Sequence, residues 1–312
     1  MRLFKTKNNF SGVCFFFLTG FWLFIISCSS PVKNEPTDTY DSGIIHISVD
    51  ESFKPVIDSQ IQVYESSFPD TKIIAHYKPE ADCLKDFAVD SIRMVIVTRG
   101  FSIAEENFMI DSMKVAPEKK IIAFDAIAII VNPQAADSLF TVQEIKNILT
   151  GKFNKTLIPV FDGLNATSTV RYVIDSILNG ETLSANAKAA RTSEDVLNFV
   201  AGNKNTIGFV GVSWIGNKDD STQLSFLNKV KIANIESTDK PGGYVIPVQA
   251  NIYGKRYPFV RDLYYILKEK HRGLAHGFAN FLIGERGQLI FRRAYLVPGQ
   301  MNFSVRKVTM RN

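Results

Sequence analysis

Cysteine and histidine are scarce in this 312-residue chain, at three and four residues, and their scarcity excludes much chemistry. Cys14 falls in an apolar N-terminal run and Cys28 just beyond it. Only Cys83 is left within the folded part, so no intrachain disulfide is expected and stability must come from the core. The histidines are His46, His76, His271 and His276. The last two are five positions apart and do not share a helix face as i,i+4 metal ligands would. There is no Gly-x-Ser-x-Gly elbow, no phosphate-cradling P-loop and no paired-cysteine motif, so no enzyme, metal or cofactor is expected. The formal charge of +5 includes the basic N-terminal head, and no basic patch argues for nucleic acid.

That head is Arg2, Lys5 and Lys7, followed by an apolar core from Val13 to Ile26 that is short for a membrane span. Ile25-Ile26-Ser27-Cys28 has the form of a bacterial lipobox, with an aliphatic residue three before a cysteine and a small one just before it. Residues 1–27 therefore read as a lipoprotein signal peptide and Cys28 as the lipidation site. Residues 28–42, polar and carrying Pro31 and Pro36, read as a flexible tether from a membrane.

From residue 43 onward strand and helix patterns alternate, which predicts an α/β fold without tandem repeats. Strands are expected at Ile44–Val49, Lys72–His76, Ile92–Val97, Leu157–Phe161, Thr206–Val212, Lys229–Ile235, Tyr244–Val248 and Leu263–Leu267. Helices are expected from about Phe53, at Asp82–Ala88, Thr141–Leu149, Ser168–Leu178 and Ser193–Val200, and across Leu274–Arg293. The chain is organised around Lys119 to Pro133, KKIIAFDAIAIIVNP. This near-continuous apolar run suits a strand buried on both faces, with Asp125 in its middle. A lone acid in such a run is a hydrogen-bonded structural residue at a strand junction, or marks a crossover beside a cleft where one lobe hands over to another.

Open α/β sheets bind ligands beyond the C-terminal ends of their strands. Three such loops stand out: Asp50-Glu51-Ser52 running into Phe53, Thr98-Arg99, and Asn165 to Ser168-Thr169 through Thr167. Hydroxyls, an arginine and helix-start amides are the usual equipment for a tetrahedral oxyanion. Each loop also has a plain reading, as an N-cap or a surface ion pair.

The order of motifs resembles the periplasmic phosphate-binding proteins of ABC transporters, over most of residues 44–304. The resemblance is carried by Val97-Thr98-Arg99 before Glu105-Glu106, by Phe124-Asp125 to Val131-Asn132-Pro133, and by Phe140-Thr141 through Gly151-Lys152. Ile207-Gly208-Phe209-Val210-Gly211, Tyr257-Pro258 through Arg261 to Tyr264, and Phe281-Leu282, Gly287-Gln288 and Tyr295 to Pro298 extend it. It implies a two-lobed type 2 periplasmic-binding-protein fold, with two mixed sheets flanked by helices around a central ligand cleft. One lobe would combine 43–125 with 240–312 and the other would hold 126–239, hinged by two crossing strands. It further implies inorganic phosphate or a related small anion as ligand, an ABC permease as partner, and a monomer in the periplasm or cell envelope, anchored to a membrane. Asp50, Glu51, Ser52, Phe53, Thr98, Arg99, Thr167, Ser168 and Thr169 are the candidate ligand residues.

The binding loops depart from that pattern. Val49-Asp50-Glu51-Ser52 stands for Gly-Ser-Thr-Thr, Pro79 to Cys83 has lost the family's glycines, and Asp162-Gly163 lies where an arginine is expected. Glycine lets backbone N–H groups close on an anion. Acids at 50, 51 and 80 repel one, since two unit charges about 4 Å apart interact by roughly 4 kcal/mol at an effective dielectric of 20. A solute carrying an amine or guanidinium, and a ligand-free envelope interaction module, therefore stay open.

Overall fold

The computed structural model describes residues 38–301 apart from 115, 154–156, 166, 218–220 and 270. The expected signal peptide, Cys28 and most of the tether lie outside the described residues. Asp38, expected in the tether, is buried, and its carboxylate accepts from the Leu274 amide at 2.7 Å and pairs with Arg93 at 3.4 Å.

Eight strands carry the fold: β1 (Gly43–Asp50), β2 (Thr71–Lys78), β3 (Ile92–Val97), β4 (Glu118–Val131), β6 (Ile158–Phe161), β8 (Thr206–Gly211), β11 (Lys240–Val245) and β12 (Val260–Leu267). Between and after them come the short strands β5 (Leu139–Phe140), β7 (Lys188–Ala189), β9 (Lys231–Ile232), β10 (Asn234–Ser237) and β13 (Val297–Pro298). One sheet runs in the order β2-β1-β3-β12-β4-β8-β6-β7, with β13 and β9 also on β4, and β11-β10-β5 form a separate three-stranded sheet. Two halves were expected to be two sheets. They share β4, because its 14 residues are long enough to pair with β12 from Glu118 to Ala126 and with β8 from Ile127 onward.

That changeover explains the organising run. From Ile122 to Val131 every residue of β4 except Phe124 and Asp125 is a buried apolar one, as a strand packed on both faces requires, and Asp125 sits next to the point where the neighbour changes. The parallel pairs β1/β2, β1/β3, β6/β7 and β6/β8 point their C-terminal ends toward this region from either side.

The helices fill the faces. Lys54–Ser67 opens with Pro55 in its first turn, where a missing N–H costs nothing. Val142–Thr150 begins with a capping box, in which the Thr141 hydroxyl accepts from the Glu144 amide and the Glu144 carboxylate accepts from the Thr141 amide. Glu80–Asp86 and Ser193–Gly202 lie close to their expected places. Ser168–Tyr172 continues as a wider helical segment through Ile177. The expected Leu274–Arg293 helix is two, Leu274–Ile283 and Glu285–Arg293, split at Gly284. Ile103–Met113 escaped sequence reading. Ile103, Phe108 and Ile110 are exposed, so no apolar stripe advertises it, although Ser102 and Glu105 form a capping box. No helix among the described residues is long and apolar enough to cross a membrane.

Candidate functional site

Beyond the β1, β6 and β8 ends, side chains from both halves of the sheet meet in a buried polar cluster. β1 ends at Asp50, whose carboxylate accepts from the Ser52 amide at 3.1 Å and turns the chain into a short helical turn. That turn aims the Ser52 hydroxyl across to the far half, 3.3 Å from Asp162 Oδ2 and 3.4 Å from Ser168 Oγ. The Ser52 carbonyl accepts from Ser213, just after β8, at 2.9 Å. Glu51 reaches the start of the Ser193–Gly202 helix, where its carboxylate accepts from Ser193 Oγ at 2.9 Å.

At the centre lies Arg261, on β12 and 4% exposed. Its Nε donates to Asp125 at 2.9 Å and its Nη1 to Ser168 Oγ at 2.8 Å, while Phe53 lies under the guanidinium at 5.0 Å from ring centre to carbon. Gly211 permits this approach: a β-carbon there would stand 3.3 Å from Arg261 Nη2, 3.4 Å from Asp125 and 3.4 Å from the Ser52 carbonyl.

Three carboxylates, Asp50, Asp125 and Asp162, thus act on one buried guanidinium, and a fourth, Glu51, joins the cluster through Ser193 and Asp162. Desolvation is the largest cause of each of their shifts. Asp50 is pushed up to about 7 by burial and then by Glu80, and Glu51 to about 7 by burial and then by Asp162. Asp125 and Asp162 are also raised by burial, against the opposing pull of Arg261. Burial acts to lower the Arg261 pKa, but Asp125 and Asp50 outweigh it and hold the guanidinium charged. Asp50 Oδ2, Asp125 Oδ1, Asp162 Oδ1 and Arg261 Nη2 are buried without a hydrogen-bond partner among the described residues. A self-contained structural network would satisfy them.

The candidate residues fall into three places. Asp50, Glu51, Ser52, Phe53, Ser168 and Thr169 belong to the cluster, Thr169 through its hydroxyl 3.5 Å from Asp162. Thr167 caps the following helix by accepting from the Val170 amide. Thr98 and Arg99 stand apart. Glu80 accepts from both the Thr98 amide and hydroxyl, at 2.8 and 2.7 Å, and pairs with Arg171. Arg99 forks onto both Glu105 oxygens at 3.0 and 3.1 Å, which is the plain ion-pair reading of that residue. Arg99 and Arg171 border a cavity of about 290 Å³ beside Glu80 and Asp175.

The guanidinium of the cluster is therefore Arg261, which sequence reading met only within a scaffold motif. Ser193 and Ser213 were also missed; each follows a strand, and Thr192-Ser193 before a helical pattern was the available signal. The acids are not arranged for a metal. Among the described residues, only Asp38, Glu269 and His271 bring three ligand atoms within 4.8 Å of one another, and Arg93 already pairs with both of those carboxylates.

Comparison with known proteins agrees with this architecture. A Clostridium perfringens protein described as a phosphate ABC transporter substrate-binding protein with bound phosphate superposes with a TM-score of 0.69 at 19% identity. The match covers 82% of this chain and 99% of that one. An ABC-type phosphate transport receptor from Vibrio cholerae gives 0.60 at 15% identity over 82% and 100%. PstS from Borrelia burgdorferi gives 0.52 at 15% over 82% and 99%. At such identities the likeness establishes the fold. No match is found among curated proteins. A family model described as the PBP superfamily domain matches residues 34–286, well over half of the sequence, and the chain belongs to that family.

Proposed function

We propose that this protein is an extracytoplasmic solute-binding protein that closes on a small oxyanion, with inorganic phosphate as the reference ligand, and passes it to an ABC permease. The observation that carries this reading is the meeting of Ser52 and Arg261 from one side with Ser168, Thr169 and Ser193 from the other in one buried cluster, where Arg261 donates to Ser168 and its Nη2 has no partner among the described residues. Charge-assisted hydrogen bonds of this kind are worth about 1.5–3 kcal/mol each. Closure then follows from contacts that exist only when both sides meet the ligand. In this reading residues 43–125 with 240–312 and residues 126–239 act as the two lobes, and Cys28 carries the lipid that holds the protein at a membrane.

The surrounding acids set the conditions. With Asp50 and Glu51 pushed up to about 7, both are mostly neutral at pH 6 and can donate to an oxyanion; at pH 8 they repel it. Calorimetric titration of the full-length protein in detergent with inorganic phosphate at pH 6 should show saturable one-to-one binding. Ser168→Ala should weaken it at least tenfold and Arg99→Ala less than threefold. The absence of heat with the fold intact would sink the oxyanion reading.

A second reading has one observation in its favour: within the cluster, three unpartnered carboxylate oxygens stand against one unpartnered guanidinium nitrogen. A solute carrying an ammonium or guanidinium would suit that balance. Binding of arginine at pH 8, with phosphate silent at both pH values, would select it.

A further inference from the structure

Asp162 occupies a position that the oxyanion reading leaves unexplained. Its Oδ2 lies 3.3 Å from Ser52 Oγ, 3.5 Å from Thr169 Oγ1 and 3.5 Å from Ser193 Oγ. These hydroxyls come from three separate segments, on both sides of the cluster. They line the space that would hold a bound oxyanion and converge on a carboxylate of the chain itself, with the Ser193 hydroxyl shared between Asp162 and the nearer Glu51 at 2.9 Å. The contacts are longer than the usual 2.7–2.8 Å of an O–H···O bond, so the carboxylate is seated against the hydroxyls without being clamped by them. Its other oxygen, Oδ1, is buried without a partner among the described residues. A purely structural carboxylate at 7% exposure would have both oxygens satisfied.

We propose that Asp162 is an internal counter-anion: its carboxylate fills the hydroxyl cradle beside the Arg261–Asp125 pair until a solute oxyanion displaces it or a proton discharges it. This rests on the oxyanion reading and identifies the residue that sets its selectivity. The groups facing Asp162 are Asp50, Glu51 and Ser52 beyond β1, Arg261 on β12 with Asp125 of β4 behind it, Thr167 and Thr169 on its own loop and helix, and Ser193 opposite. Arg261 is the one cation among them. A dianion therefore meets uncompensated acids while Asp162 is charged, and the unmodified protein discriminates against phosphate in alkaline solution.

The test is phosphate titration of the full-length protein, Asp162→Ala and Asp162→Asn at pH 8. Either variant should bind at least tenfold tighter than the unmodified chain. Asn keeps the shape of the side chain, so it reports on charge even if Ala perturbs folding. Formate supplies the missing carboxylate, and at tens of millimolar it should raise the thermal midpoint of Asp162→Ala while leaving that of the unmodified protein in place. If the unmodified chain binds phosphate at pH 8 as tightly as both variants, the counter-anion is overturned while the oxyanion reading stands. If none of the three binds phosphate at pH 6 or 8 though all are folded, the oxyanion reading fails and this inference with it.

Discussion

Arg261 and Asp125 show what one buried pair contributes. Both side chains are almost wholly excluded from water, and the 2.9 Å contact is the main compensation for their lost hydration. Removing one partner strands the other's charge, which typically costs about 3–5 kcal/mol. Arg261→Met should destabilise the protein by that amount in urea denaturation. Asp125→Leu combined with Arg261→Met should cost less than the sum of the two single changes, since an apolar pair leaves no orphan. Equal additive losses would show that the pair is not coupled. The sequence read Asp125 as a hydrogen-bonded acid at a strand junction, but its partner could not be read from it. Asp125 was visible as an anomaly within an apolar run, but its partner is 136 residues away and came into view only when β12 was laid against β4. Arg99 misled for a related reason. An arginine after a strand looks alike whether it faces a cleft or a carboxylate six residues on, and Glu105 takes it.

Glycine placement decides packing at the scale of elements. Gly208 on β8 lies between Ile130 of β4 and Val200 of the Ser193–Gly202 helix; a β-carbon there would come within 2.8 Å of both side chains. Gly208→Ala should destabilise by about 1–3 kcal/mol, as overpacking in a core does. Gly202→Ala, at the end of that helix with open space around it, should be neutral or stabilising by up to about 1 kcal/mol. Chemical denaturation of the two variants checks both, and equal effects would refute the packing account. Most elements were legible because their period and caps are local. Thr141 with Glu144 and the Leu274–Arg293 pattern needed no tertiary knowledge. The Ile103–Met113 helix was not legible, because Ile103, Phe108 and Ile110 face solvent while Met109 is buried, which leaves no continuous apolar stripe beside its cap.

For the whole molecule, buried acids reverse the usual dependence of stability on pH. Asp50 and Glu51 rise to about 7 in the folded state from ordinary values near 3.8 and 4.5. A folded state that holds protons more tightly than the unfolded chain loses stability as pH rises between those values, by at most about 1.4 kcal/mol for each group over each pH unit. Glu105 works in the opposite direction: Arg99 holds it down to about 2, so its contribution is present above 4.5 and fades below. Stability should therefore peak near pH 4 and fall by several kcal/mol, on the order of 5, between pH 5 and pH 8. Urea midpoints across that range test it, and a flat profile from 5 to 8 would show that the acids are not buried together. The sequence by itself determined the α/β alternation, the doubly buried central run and the family, because these rest on periodicity and on motifs whose order survives divergence. Only the tertiary structure decided which arginine faces the cluster, that Asp162 sits among three hydroxyls, and that β4 serves both halves of the sheet. Those facts depend on contacts between residues far apart along the chain, and chain order carries no record of such distances.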